Sequence, residues 1–182
     1  MPDLTSLAHR LDPAGAICRA IIETPKGYRN KFDYDPESNL FRLAGLLPEG
    51  MAFPFDFGFI PSTLGDDGDP LDIAVLMDAP AHVGCLLEVR IIGIIQAEQT
   101  QDGKTETNDR LLGVAAHSYA HENIQSIRQV NQTLLSQIEE FFVSYNKQRG
   151  KKFRITGKGG PKKAIRFLKA GIKTYKRSKG SK

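Results

Sequence analysis

The chain has little cysteine, no apolar run long enough to cross a bilayer, and almost no excess of charge. Cys18 and Cys85 are its two cysteines. With no CxxC pair they exclude a disulfide scaffold and read as reduced core thiols of a cytoplasmic protein. The longest apolar stretch, GCLLEVRIIGIIQA, is broken by Glu88 and Arg90, which excludes a membrane-spanning helix there. The opening MPDLTSLAHRLDPAG has no apolar h-region, so no secretory leader is expected in it. A net charge of +4 over 182 residues does not by itself call for nucleic acid or a membrane surface. The charge is uneven, however. Acids crowd the middle of the chain, and 151–182 is rich in Lys and Arg.

Other absences remove other chemistries. His117 and His121 lie four apart, but no third ligand has matching spacing, so zinc is not expected. GKGGPKK (157–163) lacks the GxxxxGK[ST] spacing and the preceding apolar strand of a P-loop. It reads as a flexible joint between two helices. No Ser-His-Asp or Cys-His order is argued by the sequence. The lysines near the C-terminus surround an apolar stripe, which favours a solvated amphipathic helix over a nucleic-acid reader.

What is present suits one domain over 1–182, with 40% hydrophobic and 25% charged residues. Short β-branched stretches predict strands at 16–24, 28–35, 71–77, 84–98 (bent at Gly93) and 110–116. In 28–35 the side chains alternate, with Arg29, Lys31 and Asp33 on one face and Asn30, Phe32 and Tyr34 on the other. The period then changes. Leu134, Ile138, Phe141, Phe142 and Tyr145 recur at helical spacing over 131–148, ended by Gly150. A basic helix over 161–178 follows Pro161, with a frayed tail at 179–182. This order predicts a curled antiparallel sheet or small barrel covered by C-terminal helices.

The chemistry concentrates in GDDGDPLDIAVL. Asp66, Asp67, Asp69 and Asp72 crowd a turn that enters an apolar strand, where like charges repel and lose hydration. Oxygen donors without His or Cys suit Mg²⁺ or Mn²⁺. The EF-hand pattern is missing, because the loop has neither its glycine nor its closing glutamate. A solvated acidic turn is the competing reading. Other strand ends also pair acids with bases: Glu23 before Pro25, Lys31 with Asp33, and Asp109 with Arg110. If these converge, they form cation sites facing a polyanion grip, the electrostatics of phosphoryl transfer.

These residues resemble the family I soluble inorganic pyrophosphatases. The D-G-D-P-[aliphatic]-D signature stands as Asp67-Gly68-Asp69-Pro70-Leu71-Asp72. IIETPKGYRNKFDYDPES, FPFDFGFIPSTL, NDRLLGV and FFVSYNK extend the similarity over 17–147. The resemblance implies an α+β, mainly β fold, a five-stranded OB-like closed barrel flanked by C-terminal α-helices. It implies Mg²⁺-dependent hydrolysis of pyrophosphate by direct water attack, with several ions per site and Mn²⁺ as a substitute. By position, Asp67, Asp72, Asp109, Asp102 and Glu23 would be metal ligands. Asp69 would be the general base, with Asp67, Lys31 and Tyr145 in the catalytic set. Lys31, Arg110, Tyr145 and Arg42 would bind phosphate. A cytoplasmic homo-oligomer, a hexamer, is also implied, with no membrane or nucleic-acid partner.

The sequence departs from that pattern in ways that bear on function. The arginine expected on the third strand falls near Gly45, with Arg42 as its only substitute in that segment. Phe53 and Phe57 replace two tyrosines and lose their hydroxyl donors. Asn146 stands where a lysine is expected, and Lys147 points elsewhere on a helix. In the lengthened loop AEQTQDGKTETND, Glu98 competes with Asp102 as ligand. Lys26, Arg29, Lys104 and the bases of 148–154 are available to compensate. Hydrolysis of another phosphoanhydride (polyphosphate or a nucleotide), or a low-activity binding role, are the alternatives.

Overall fold

The computed structural model describes residues 3–14 and 16–180. Five strands close a ring. β1 (Ile17–Thr24) pairs with β4 (Asp56–Ile60), β4 with β5 (Leu71–Leu76), β5 with β8 (Arg110–Ala115), β8 with β6 (Leu86–Gln101), and β6 returns to β1. The OB-like barrel implied by the resemblance is the fold that forms. One pair departs from the expected antiparallel arrangement, since β5 and β8 run parallel. The whole of β6 lies between them in sequence, and a crossover of that length permits parallel pairing.

β6 is long enough to serve four neighbours. Its first residues pair with β1, its middle with β8, and its far half with β7 (Lys104–Thr107) and β9 (Lys152–Gly159). The expected bend at Gly93 is a register shift between Ile91 and Gly93. A Cβ at position 93 would lie 2.6 Å from Ile127 Cβ and 2.7 Å from Gly159 O, so only glycine allows the layers to approach. β2 (Asn30–Asp35) and β3 (Leu40–Leu46) form a separate hairpin.

The ring strands are buried on both sides, hence their near-continuous apolar runs. Ile73, Val75, Ile91 and Leu111 pack with Ala164 and Leu168 of α2 (Pro161–Gly180). Ala74, Leu76, Leu112 and Val114 pack with Leu135, Ile138, Phe141 and Phe142 of α1 (Gln132–Gln148). Asn131 caps α1 by accepting from the Thr133 and Leu134 N–H groups, and Gly150, at φ +72°, follows its Arg149 C-cap.

Several elements differ from expectation. The segment after α1 is β9, not a flexible joint. Phe153 and Ile155 alternate with Lys152 and Arg154, a strand period that the surrounding bases obscure. β3, β4 and β7 were also absent from the sequence prediction. α2 continues through Lys179 to Gly180, where fraying was expected, and positions 181–182 lie outside the described residues.

Candidate active site

The connection between β4 and β5 builds one wall of a cleft of about 510 Å³. Buried Thr63 ties its ends together. The Thr63 hydroxyl donates to Ile60 O at 2.5 Å and accepts from the Leu71 N–H at 2.9 Å. Between them the chain turns tightly. Gly65 N–H bonds Asp69 O at 2.7 Å, and Asp69 N–H bonds the Asp67 carboxylate at 3.1 Å. Gly68 takes φ +89°, a conformation that glycine adopts without strain. Asp67 and Asp69 project from this turn, Asp72 follows at the start of β5, and all three line the cleft.

This wall is electrostatically unbalanced. Neither Asp67 nor Asp69 enters an ion pair among the described residues. Burial, then the charges of Asp67 and Asp33, push the Asp69 carboxyl above the ordinary carboxylate range. Asp72 is raised too, by burial first; Arg110 and Lys31 oppose the rise and Asp67 and Asp69 reinforce it.

The parallel register sets Ile73 beside Leu111, so their predecessors Asp72 and Arg110 arrive together. Arg110 Nη1 lies 2.5 Å from Asp72 Oδ2, while its buried Nε has no hydrogen-bond partner. Across the cleft, Lys31 Nζ contacts Asp33 and lies 3.7 Å from Glu23 Oε2. Burial would lower the Lys31 pKa, but Glu23 and Asp33 hold it above the usual lysine value. Glu23, 8% exposed, accepts the Tyr34 N–H at 2.8 Å. Burial pushes Glu23 up to about 7, with the Lys31 charge opposing.

Aromatic rings floor the cleft. Phe53 packs on Phe141 with centroids 4.8 Å apart and on Tyr145 at 5.7 Å. Phe57 lies 5.3 Å from Lys31 Nζ and 5.9 Å from the Arg110 guanidinium carbon. The ring therefore supports both cations through its face, without a hydroxyl. Arg42 lines the cleft from β3, opposite Asp33 in register.

Of the remaining ligand candidates, Asp102 and its competitor Glu98 stand outside the cleft, and Asp109 stands beside it. Asp102 is at the β6–β7 turn with φ +51° and does not line the cleft. Its competitor Glu98 pairs with Arg154 at 2.7 Å, because the two are cross-strand partners in the β6–β9 register. Asp109 accepts the Ala97 N–H at 3.0 Å and lines a smaller adjoining pocket of about 230 Å³, with Asp66, Asp67 and Asp72. The cleft wall on that side carries Gln99, Asn108 and the acid Glu106 instead, and Asn108 Nδ2 donates to Gln99 Oε1 at 2.8 Å. Neutral amides in a loop with several competing acids gave no sequence signal.

The end of α1 supplies Tyr145, Arg149 and Lys151 to the cleft. Arg149 Nη1 donates to the Tyr145 hydroxyl at 2.7 Å. The two stand four residues apart, one helical turn, and that spacing is the signal by which Arg149 was detectable. Asn146 turns its side chain back to Phe142 O at 2.8 Å, and Lys147 does not line the cleft.

The structure thus brings Glu23, Lys31, Arg42, Asp67, Asp69, Asp72, Arg110 and Tyr145 to one cleft. Among the described residues, no three His, Cys, Asp or Glu side chains already converge as a metal cage. The donors present nevertheless fit a hard divalent cation. Asp67, Asp69 and Asp72 are all-oxygen, share one wall, and carry negative charge that Arg110 neutralises only in part. Mg²⁺ needs few carboxylates, since water and phosphate oxygens complete its octahedron.

Comparison with known proteins agrees with this geometry. The inorganic pyrophosphatase family profile matches residues 20–176. An inorganic pyrophosphatase of Thermus thermophilus is 36% identical over 168 residues, 91% of this chain and 94% of that protein. One from Synechocystis is 34% identical over 164 residues, 90% of this chain and 95% of that protein. The crystal structure of a Thermus thermophilus inorganic pyrophosphatase superposes with a TM-score of 0.87 at 34% identity, covering 96% of this chain and 99% of the other. That of Neisseria gonorrhoeae gives 0.85 at 28% identity, with the same coverage.

Proposed function

This chain belongs to the inorganic pyrophosphatase family and hydrolyses pyrophosphate to phosphate, and from that premise we propose how its residues divide the work. Asp67 and Asp72 would hold Mg²⁺, with Asp109 beside them and Glu23 as a further acid of the cleft. When bound, Mg²⁺ neutralises phosphate charge and acidifies a water. Asp69 takes the proton from the attacking water as its oxygen bonds one phosphorus. The bridging P–O bond breaks, and the second phosphate leaves with the electron pair. Lys31 and Arg110 grip the phosphate oxygens. The Tyr145 hydroxyl accepts from Arg149, so its own proton is free for a phosphate oxygen. Arg42 lies at the rim.

The unpaired Asp67 and Asp69 beside the Asp72–Arg110 pair carry this reading. Phosphate release from pyrophosphate, tripolyphosphate and ATP, with and without Mg²⁺, tests it in the wild type and in Asp69→Asn. Pyrophosphate should be the best substrate, turnover should need Mg²⁺, and Asp69→Asn should cut it about 10²–10⁴-fold. Unchanged turnover in the variant removes Asp69 as the base.

Assembly as a homo-oligomer, a hexamer, belongs to the same reading. Leu40, Leu43 and Leu46 on β3 support it, being 63%, 62% and 66% exposed. Sedimentation of the wild type and of Leu43→Glu measures it. A cytoplasmic site of action is supported by two free thiols. Among the described residues no helix is long and apolar enough to cross a membrane.

A further inference from the structure

We propose that Arg149 grips substrate phosphate, supplying from the end of α1 the cation that the β2–β3 hairpin lacks at Gly45. The proposal rests on the pyrophosphatase reading above. Its first support is the register of the hairpin, which sets Gly45 directly opposite Lys31. Cross-strand partners share a face, so a side chain at 45 would enter the cleft beside Lys31. Glycine leaves that volume open. A Cβ built there has one neighbour within 4 Å, Arg149 Nη1 at 3.9 Å. The guanidinium therefore reaches the space that a side chain at position 45 would enter.

The second support is how Arg149 is held. Its backbone N–H bonds Asn146 O at 3.0 Å as the C-cap of α1, and the Lys151 N–H shares that carbonyl at 2.9 Å. Asn146, lacking the expected ammonium, shapes the turn that presents two other cations. The guanidinium lies 5.4 Å from the Tyr145 ring centroid and donates to the Tyr145 hydroxyl at 2.7 Å. Phe53, in turn, packs on Tyr145. Apolar surface, an aromatic face and a backbone cap thus aim the head group.

The third support is that no carboxylate claims it. Arg29, Arg110 and Arg154 each pair with Glu49, Asp72 and Glu98, whereas Arg149 enters no ion pair among the described residues. One hydrogen bond to a phenol uses one of its five N–H donors. The remainder face a cleft that binds a polyanion, where a planar fork suits two phosphate oxygens.

The alternative is that Arg149 only orients the Tyr145 hydroxyl. Calorimetric binding of pyrophosphate with Mg²⁺, in an Asp69→Asn background that spares the ligand, separates the two. Arg149→Ala should weaken binding about tenfold or more, and should do so equally when Tyr145→Phe is also present. Arg149→Lys should recover part of the loss. Gly45→Arg, which meets no backbone clash, should recover part of it in the Arg149→Ala protein. An Arg149→Ala effect that vanishes in the Tyr145→Phe background overturns the proposal, as does unweakened binding in the single variant. Absence of pyrophosphate turnover in the wild type would instead remove the functional reading, while the binding series still tests Arg149.

Discussion

The two walls of the cleft face opposite electrostatic problems. The β4–β5 turn gathers Asp67, Asp69 and Asp72 within six residues and leaves two of them without a cation. The other wall collects Lys31, Arg42, Arg149 and Lys151 from three parts of the chain, and Lys31 and Arg149 rest on rings or acids already in place. One wall is local and under-neutralised; the other is assembled at a distance and largely satisfied. The difference separates function from stability. Repelling acids cost stability and await a cation, whereas paired cations stabilise the fold and hold a position for phosphate.

The sharpest way to break that contrast is at the acid wall. Asp69→Asn should lose about 10²–10⁴-fold of turnover. The same protein, stripped of divalent cations, should be no less stable, because the unpaired carboxylate loses hydration and is repelled by Asp67 and Asp33, a cost that the neutral amide escapes. Thermal unfolding with chelator reads the second half. A large loss of stability would show that the turn depends on this charge.

Divalent cation should act on the same wall with the next largest effect. At about a hundred times its dissociation constant, Mg²⁺ should add about 2.7 kcal/mol to stability. That gain should shrink in Asp67→Asn. A melting temperature indifferent to Mg²⁺ would show that the wall holds no ion without substrate.

Arg110→Ala removes the one cation that the acid wall already holds. Asp72 loses its partner there, and the side chains are 15% and 27% exposed. Stability should fall by about 1–3 kcal/mol, alongside a higher KM. If only KM moves, the pair serves substrate and not the fold.

The smallest expected effect is a pH slope. Glu23 titrates near 4.5 when unfolded and near 7 when folded, raised by burial. Between those values the folded chain keeps a proton that the unfolded chain has released. Stability of the chelated protein should therefore fall as pH rises through that window, with the loss complete above it. Glu23→Gln should flatten the slope. A slope that survives the variant belongs to Asp56, Asp69, Asp72 or Asp109, which are raised as well.

Much of the fold was legible where period and composition agreed. α1 and α2 announced themselves by helical spacing, and the ring strands by β-branched runs. β9 was not, because alternate lysines and arginines hide its Phe153–Ile155 face and its pairing partner is the far half of β6. The acid wall was readable as DGDPLD because its turn is closed by bonds within itself. Asp102 falls outside the cleft because direction at a hairpin tip depends on register, whereas Asp109 shares a pocket with Asp67 and Asp72. A one-residue difference at such a tip moves a carboxylate from one face to the other.

By itself, then, the sequence determined the pieces with local causes: a glycine–proline turn bristling with acids, apolar strands and two amphipathic helices. Only the tertiary structure decided which charges meet. The parallel β5–β8 register delivered Arg110 to Asp72, and the α1 cap delivered Arg149 to the gap at Gly45. Both encounters join segments far apart in the chain, and a long-range contact depends on chain closure and packing that no local pattern records.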